Sequence, residues 1–229
     1  MEESRKVTCT KCGGDLILDR ERKLYKCMFC GVAFGSSILF DEKALQKAKR
    51  SVKIEEFNEA DQWFCCVLML EPGNFEALRG RVLCAGKWKD LMDIKGGESL
   101  STIRVEHIYE RIDEAIKTAK EEDKVYFEKF REFVDILDGL REKDMKLRPL
   151  LKERKIKQKE ADDNPELRGE VTIRRDYFLD ESNRVCKSIY QLDDKITPLT
   201  KNRKYLMDDF LALRRELMIL ENEFKKRKA

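Results

Sequence analysis

The sequence predicts a mainly α-helical fold with one small β unit at its N-terminus, and three observations carry that prediction. Charged side chains make up 41% of the 229 residues, while Gly (11) and Pro (4) are scarce. An ordinary domain is roughly one quarter charged, so this composition describes long helices with one wet face and few breakers. Apolar residues recur at alternating four- and three-residue intervals over two long stretches of the C-terminal half. The N-terminal residues instead carry short apolar segments between two Cys-x-x-Cys turns.

The charges nearly cancel. Lys plus Arg number 48 and Asp plus Glu 45, a net charge of +3. That balance excludes a chain basic throughout, the signature of many nucleic-acid binders, but leaves room for a local basic patch. The longest apolar run, Trp63 to Leu70, has eight residues, far short of the roughly 20 that span a bilayer. The first 20 residues lack the apolar core of a signal peptide. The reading is a cytoplasmic protein without a membrane partner, in a compartment where paired cysteines mean metal or redox chemistry.

The paired cysteines are Cys9-Thr10-Lys11-Cys12-Gly13-Gly14 and Cys27-Met28-Phe29-Cys30-Gly31, with 14 residues between Cys12 and Cys27. Each turn aims two thiolates at one point, and two such turns close a tetrahedral sulfur site for one structural Zn²⁺. The Gly after each second Cys permits the tight backbone that turns amides toward the sulfurs. Residues 15–19 and 23–26 then read as a short β-hairpin joining the two halves. A thioredoxin-like redox pair would need one motif opening a helix in a βαβ context. A catalytic zinc would keep an open position beside His and a base, and the only His is His107. Residues 9–31 resemble the zinc ribbon of transcription factor IIB type. Ribbons of that kind contact nucleic acid or protein. Lys11, Lys23, Lys26, Tyr25 and Phe29 could form a basic-aromatic surface for single strands. The alternative, favoured here because acids offset the bases before residue 40, is that the aromatics cover a core too small to fold without metal.

The next segment runs from Ala44 through Phe57-Asn58-Glu59-Ala60 and Phe64 to Pro72-Gly73-Asn74. Ala44, Ala48, Phe57, Ala60, Phe64, Val67 and Pro72 follow the small, aromatic, small and Pro pattern of a 34-residue helical repeat. In this the segment resembles a tetratricopeptide repeat. A second repeat begins with Ala77, Leu78, Val82 and Ala85, and Trp88–Ile94 is expected as a shortened second helix. Arg81 stands at a usually apolar position. Cys65, Cys66 and Cys84 lack ligand spacing and read as small buried hydrophobes.

Two heptad runs fill the remainder. Ile112 to Leu151 is interrupted only by Asp123 and Asp144, and Phe178 to Phe224 only by Ser182 and Arg203. Such spacing predicts helices buried along one seam, roughly 60 and 70 Å long at 1.5 Å per residue. Matched lengths suit a long antiparallel helical hairpin or coiled coil, with residues 152–169 as its connection and Asn164-Pro165 starting the return helix. Pro198 is expected to kink the second run. Reversal there would make a three-helix bundle, and a break near Glu121-Glu122-Asp123 would shorten the first run. A monomer is the simpler arrangement, with a coiled-coil dimer registered by Arg203 as its alternative.

The segment Lys143–Glu160 holds eight basic and three acidic residues. Nothing resembles a phosphate loop, a nucleophile elbow or a catalytic triad, and the chain reads as a non-enzyme. The expected organisation is a zinc ribbon over residues 1–40, a tetratricopeptide-like unit over 41–97 and the helical hairpin over 98–229. The combination resembles bacterial zinc-ribbon proteins. The expected function is a zinc-binding scaffold for an unidentified protein partner, through Phe29 or the repeat helices. The alternative is an accessory nucleic-acid binder using the ribbon and residues 143–160, where Lys152, Arg154, Lys155 and Lys157 would meet phosphate.

Overall fold

The computed structural model describes residues 9, 11–19, 24–35, 43–100, 105–163 and 184–228. Three short strands, β1 (Leu16–Asp19), β2 (Leu24–Cys27) and β3 (Ala33–Gly35), form an antiparallel sheet in the order β1-β2-β3. Leu16 faces Cys27 and Tyr25 faces Phe34 across it. Strand alternation turns Leu16, Tyr25 and Cys27 inward and Ile17 and Lys26 outward.

Six α-helices follow among the described residues: α1 (Ala44–Lys53), α2 (Phe57–Leu70), α3 (Phe75–Ala85), α4 (Val105–Thr118), α5 (Glu121–Asp163) and α6 (Arg184–Lys228). The fold is therefore mainly α with a small N-terminal sheet. No helix among the described residues is long and apolar enough to cross a membrane. Along α1 the buried positions are Ala44, Ala48 and Ser51, small side chains that let α2 come close. Beyond the Pro72-Gly73 turn, the Asn74 side chain caps α3 by accepting from the Ala77 amide at 3.0 Å, satisfying an otherwise orphan donor. Gly80 lets α3 settle on the Phe64 ring, where an added Cβ would stand 2.2 Å from a ring carbon.

Residues 88–94 are not the shortened helix expected from the repeat pattern. They form turns because Asp90 Oδ1 accepts from the amides of Met92 (2.7 Å) and Asp93 (3.2 Å), while Asp93 Oδ2 accepts from the Lys89 amide at 3.0 Å. Side chains that bind nearby amides offer the backbone an alternative to the helix. Trp88, Leu91 and Ile94 are still buried. It is α4 that packs against α3.

The described residues belong to two compact units, Met1–Lys95 with Thr102–Val134 and Leu213–Ala229, and Gly96–Ser101 with Asp135–Ala212. In the first, Tyr126, Phe127, Phe130 and Phe133 are buried and form a chain of edge and tilted ring contacts continued by Phe75 and Phe224. Lys129 meets Glu216 at 2.6 Å, Tyr126 donates to Glu221 at 2.8 Å, and Arg227 meets Asp123 at 2.6 Å. Partner numbers rise along one helix as they fall along the other, so the segments run antiparallel. In the second unit Arg203 pairs with Asp144 and Arg154 with Asp193, again antiparallel, around a cluster of Leu147, Leu192 and Ile196. One polar interruption of each heptad run thus answers the other, Asp144 meeting Arg203, while buried Asp123 meets Arg227 just beyond the end of the second run.

Three expectations for the long helices need correction. The first run is not one helix: α4 ends at Thr118 and α5 begins at Glu121, so of the two readings the break near Glu121-Glu122-Asp123 holds. The three acids opening α5 suit the positive end of a new helix dipole, and Asp123 is held by Arg227. Residues 152–163 are helix rather than connection, since α5 continues to Asp163. Asn164, Pro165 and the start of the second run at Phe178 lie outside the described residues. Leu151, expected on the seam, is exposed, and Leu150 packs on the cluster instead. A straight helix drifts about 20° per heptad against a strict seven-residue repeat, which carries the seam off Leu151.

Helix α6 runs unbroken through Pro198, and α5 through Pro149. Each proline lies five residues from both ion pairs, Arg154–Asp193 and Arg203–Asp144, so the two prolines stand at one level of the pair. Both helices lose an amide donor at that level. Replacing Pro149 and Pro198 with Ala is expected to stabilise the second unit by roughly 1–3 kcal/mol per site. Denaturant titration followed by helical ellipticity checks it, and an unchanged midpoint contradicts it.

Candidate metal centre

The two knuckles are built alike. The Gly13 amide donates to the Cys9 carbonyl at 2.8 Å and the Gly31 amide to the Cys27 carbonyl at 2.9 Å. In return the Cys9 amide donates to Gly14 and the Cys27 amide to Val32, at 2.7 and 2.9 Å. Gly13 and Gly31 have φ of 73° and 72°, the left-handed region that side chains with a Cβ avoid. A Cβ at either position would meet nothing within 4 Å, so backbone strain rather than space requires glycine there.

These turns bring Cys9, Cys12, Cys27 and Cys30 together, with all four sulfurs within 4.8 Å of one another. Across the knuckles Cys9 and Cys30 Sγ are 3.6 Å apart, and Cys12 and Cys27 Sγ 3.4 Å. Sulfurs about 2.3 Å from a tetrahedral zinc would be about 3.8 Å apart, so the cluster fits the ion with small adjustments. The Cys30 and Phe29 amides point at Cys27 Sγ and bring its thiol down to about 6. For Cys12 the Gly14 amide pulls downward, but the contact with Cys27 pushes it up to about 12. A dication between them removes that repulsion and deprotonates the thiols.

Four thiolates fill the four positions of a tetrahedral zinc, the arrangement of a structural site. Neither knuckle opens a helix, the context a redox pair needs: Cys12 leads to β1 and Cys30 to β3. Residues 4–35 match the family model of the A2-L zinc ribbon domain. The ribbon occupies that stretch with one structural zinc on Cys9, Cys12, Cys27 and Cys30. No curated protein and no solved structure matches the chain.

The ribbon does not complete its own core. Cys9, Leu16, Tyr25 and Cys27 form one buried cluster with Met69 of α2, a residue the motif does not contain. The signal was present in α2, whose apolar run from Trp63 to Leu70 covers more than one face, so a second partner was needed. Phe29 lies over Gly14, where an added Cβ would stand 2.4 Å from its ring, yet it remains 79% exposed. Met28 (66%) and Ile17 (55%) are exposed with it.

The other singled-out residues fare differently. Lys152 and Lys155 are exposed on α5. Arg154 is bound to Asp193 through Nε at 2.5 Å and a second guanidinium nitrogen at 3.2 Å. Lys157 meets Glu160 at 2.8 Å. His107 stands on the exposed side of α4, 3.3 Å from Glu110. Cys66 and Cys84 are buried and Cys65 half-buried, and burial raises the Cys65 thiol to about 11 and Cys84 to about 12. Thiols so far above neutrality stay protonated and behave as small apolar groups.

Proposed function

We propose that the protein is a non-catalytic, zinc-dependent scaffold that engages a protein partner through its ribbon. The observation that carries this reading is the exposure of Phe29, with Met28 and Ile17, on a module whose backbone the metal holds rigid. Exposed aromatic anchors on a rigid surface are the usual energetic centres of protein interfaces. On this reading the ribbon is of transcription-factor-IIB type in a bacterial, cytoplasmic protein. The helices α1 to α4 are tetratricopeptide-like support for it: small Ala48 and Ala60 are fully buried where paired helices meet. A monomer is favoured, because Arg203, the residue suited to registering a dimer, is paired with Asp144 of its own chain. Light scattering that gave a dimer mass would overturn that part.

The test is a comparison of Phe29→Ala with the parent chain. Zinc content should stay at one ion per chain, while partners captured from the native host should be lost. An identical captured set from both proteins would exclude Phe29 as the anchor. The alternative reading, nucleic-acid binding through residues 143–160, has weaker support because Arg154 and Lys157 already hold carboxylates. Retardation of random DNA or RNA that falls steeply with salt would favour it instead.

A further inference from the structure

A cavity of about 440 Å³ opens in the first compact unit, lined by α1, α2, α3, the last turns of α6 and the Lys89–Asp90 turn. Its apolar lining is Phe64, Phe75, Leu83 and Phe224, with the Phe75 and Phe224 ring centres 4.2 Å apart. Its cationic lining is Lys49, Lys53, Lys89 and Lys225, besides Arg79.

The carboxylates that also line the cavity are already engaged. Glu76 holds Lys49 at 3.0 Å and Lys228 at 2.9 Å. Glu221 holds Arg79 at 2.5 Å and accepts from Tyr126 at 2.8 Å. Asp90 accepts the amides of its own turn. Lys89 is drawn toward Glu55 at 2.8 Å. That leaves Lys53 and Lys225, both exposed and neither paired with a carboxylate among the described residues. An apolar concavity with uncompensated cations matches a ligand with an apolar body and an anionic head.

We propose that this cavity binds a small amphipathic carboxylate, its hydrocarbon part against Phe64, Phe75 and Phe224 and its head toward Lys53 and Lys225. The volume lies in the range of small-molecule sites, about 300–1,000 Å³. Walls from five segments bound its extent, which suits a compact ligand better than an extended chain. This site is separate from the ribbon surface and does not depend on the partner reading above.

Calorimetric titration of the full zinc-loaded chain with decanoate, below its micellar concentration, tests the proposal, with decanol as the uncharged control. Saturable one-to-one binding of decanoate is expected, stronger than that of decanol and weakened by salt. Lys53→Glu combined with Lys225→Glu should weaken decanoate about ten-fold or more and leave decanol unchanged. If the double variant melts earlier than the parent, Lys225→Gln alone carries the comparison, with an expected loss of about three-fold. Absence of saturable binding, equal affinity for decanol, or unaltered affinity in the folded variant would overturn the proposal. So would preferential binding of an acidic peptide over decanoate.

Discussion

Replacing Cys9 or Cys27 with Ser is expected to release the single zinc ion and unfold the ribbon while most of the helical ellipticity remains. Structural zinc contributes about 10–16 kcal/mol of binding free energy in small domains at neutral pH, and in them that energy is folding energy. The ribbon's own core is Leu16 and Tyr25 beside Cys9 and Cys27, too little apolar surface to hold three strands of three or four residues. Metal analysis and near-ultraviolet dichroism of the two variants check the outcome. One retained zinc per chain in both would refute the ligand assignment. Loss of the ribbon also uncovers Met69, so the first unit should melt earlier in the variants, a coupling that a ribbon hung on a loose linker would not show. Zinc release should likewise occur as pH falls, because protons compete for the same four sulfurs.

Replacing Arg81 with Met is expected to destabilise the first unit by a smaller but still large amount. Arg81 is 4% exposed, and its guanidinium holds Asp61 at 2.9 Å and Glu114 at 2.6 Å. Arg111 closes the network, 3.0 Å from Glu114 and 3.7 Å from Asp61, so one cluster of charges ties α2, α3 and α4. Burial works against the charge on Arg81, but the surrounding acids outweigh it and hold its pKa above the usual value. Removing one member of such a set leaves the others uncompensated and costs about 3–5 kcal/mol. The lower end applies because the Asp61 and Glu114 side chains keep 27% and 28% of their exposure. A loss of that size lowers the melting temperature by about 10 °C in a chain of this length. Adding Asp61→Asn, Glu114→Gln and Arg111→Met to Arg81→Met should restore much of it, since a network removed whole leaves no stranded charge. A variant melting within a degree of the parent would show that the network contributes nothing.

Much of the fold and of the metal centre is legible in the residue order. Two Cys-x-x-Cys-Gly turns specify a metal site because each knuckle is local: six consecutive residues make both the turn and the amides that face the sulfurs. Apolar periodicity located α1 to α3 and the two long helices for the same reason, since each residue's face depends on its neighbours three and four away. Errors arose where one short-range preference competed with another. The Asp90 side chain diverts residues 88–94 from a helix into turns, and the acids at Glu121–Asp123 start a new helix where the spacing left both a continuous helix and a break open. Phe29 was visible as an aromatic on a knuckle, but its exposure was not.

Residue order alone specified the zinc ligands and the helical class, and it suggested the antiparallel sense of the long helices that the ion pairs between them establish. Which side chains meet across long separations emerged with the folded chain. Asp123 stands opposite Arg227, Asp144 opposite Arg203, and Arg81 between Asp61 and Glu114. Folding also lends Met69 to the ribbon and gathers Lys53 and Lys225 around one cavity. Periodicity says which face of a helix is buried, but the partner on the other side is set by packing of the whole chain, where shape and charge must be satisfied together.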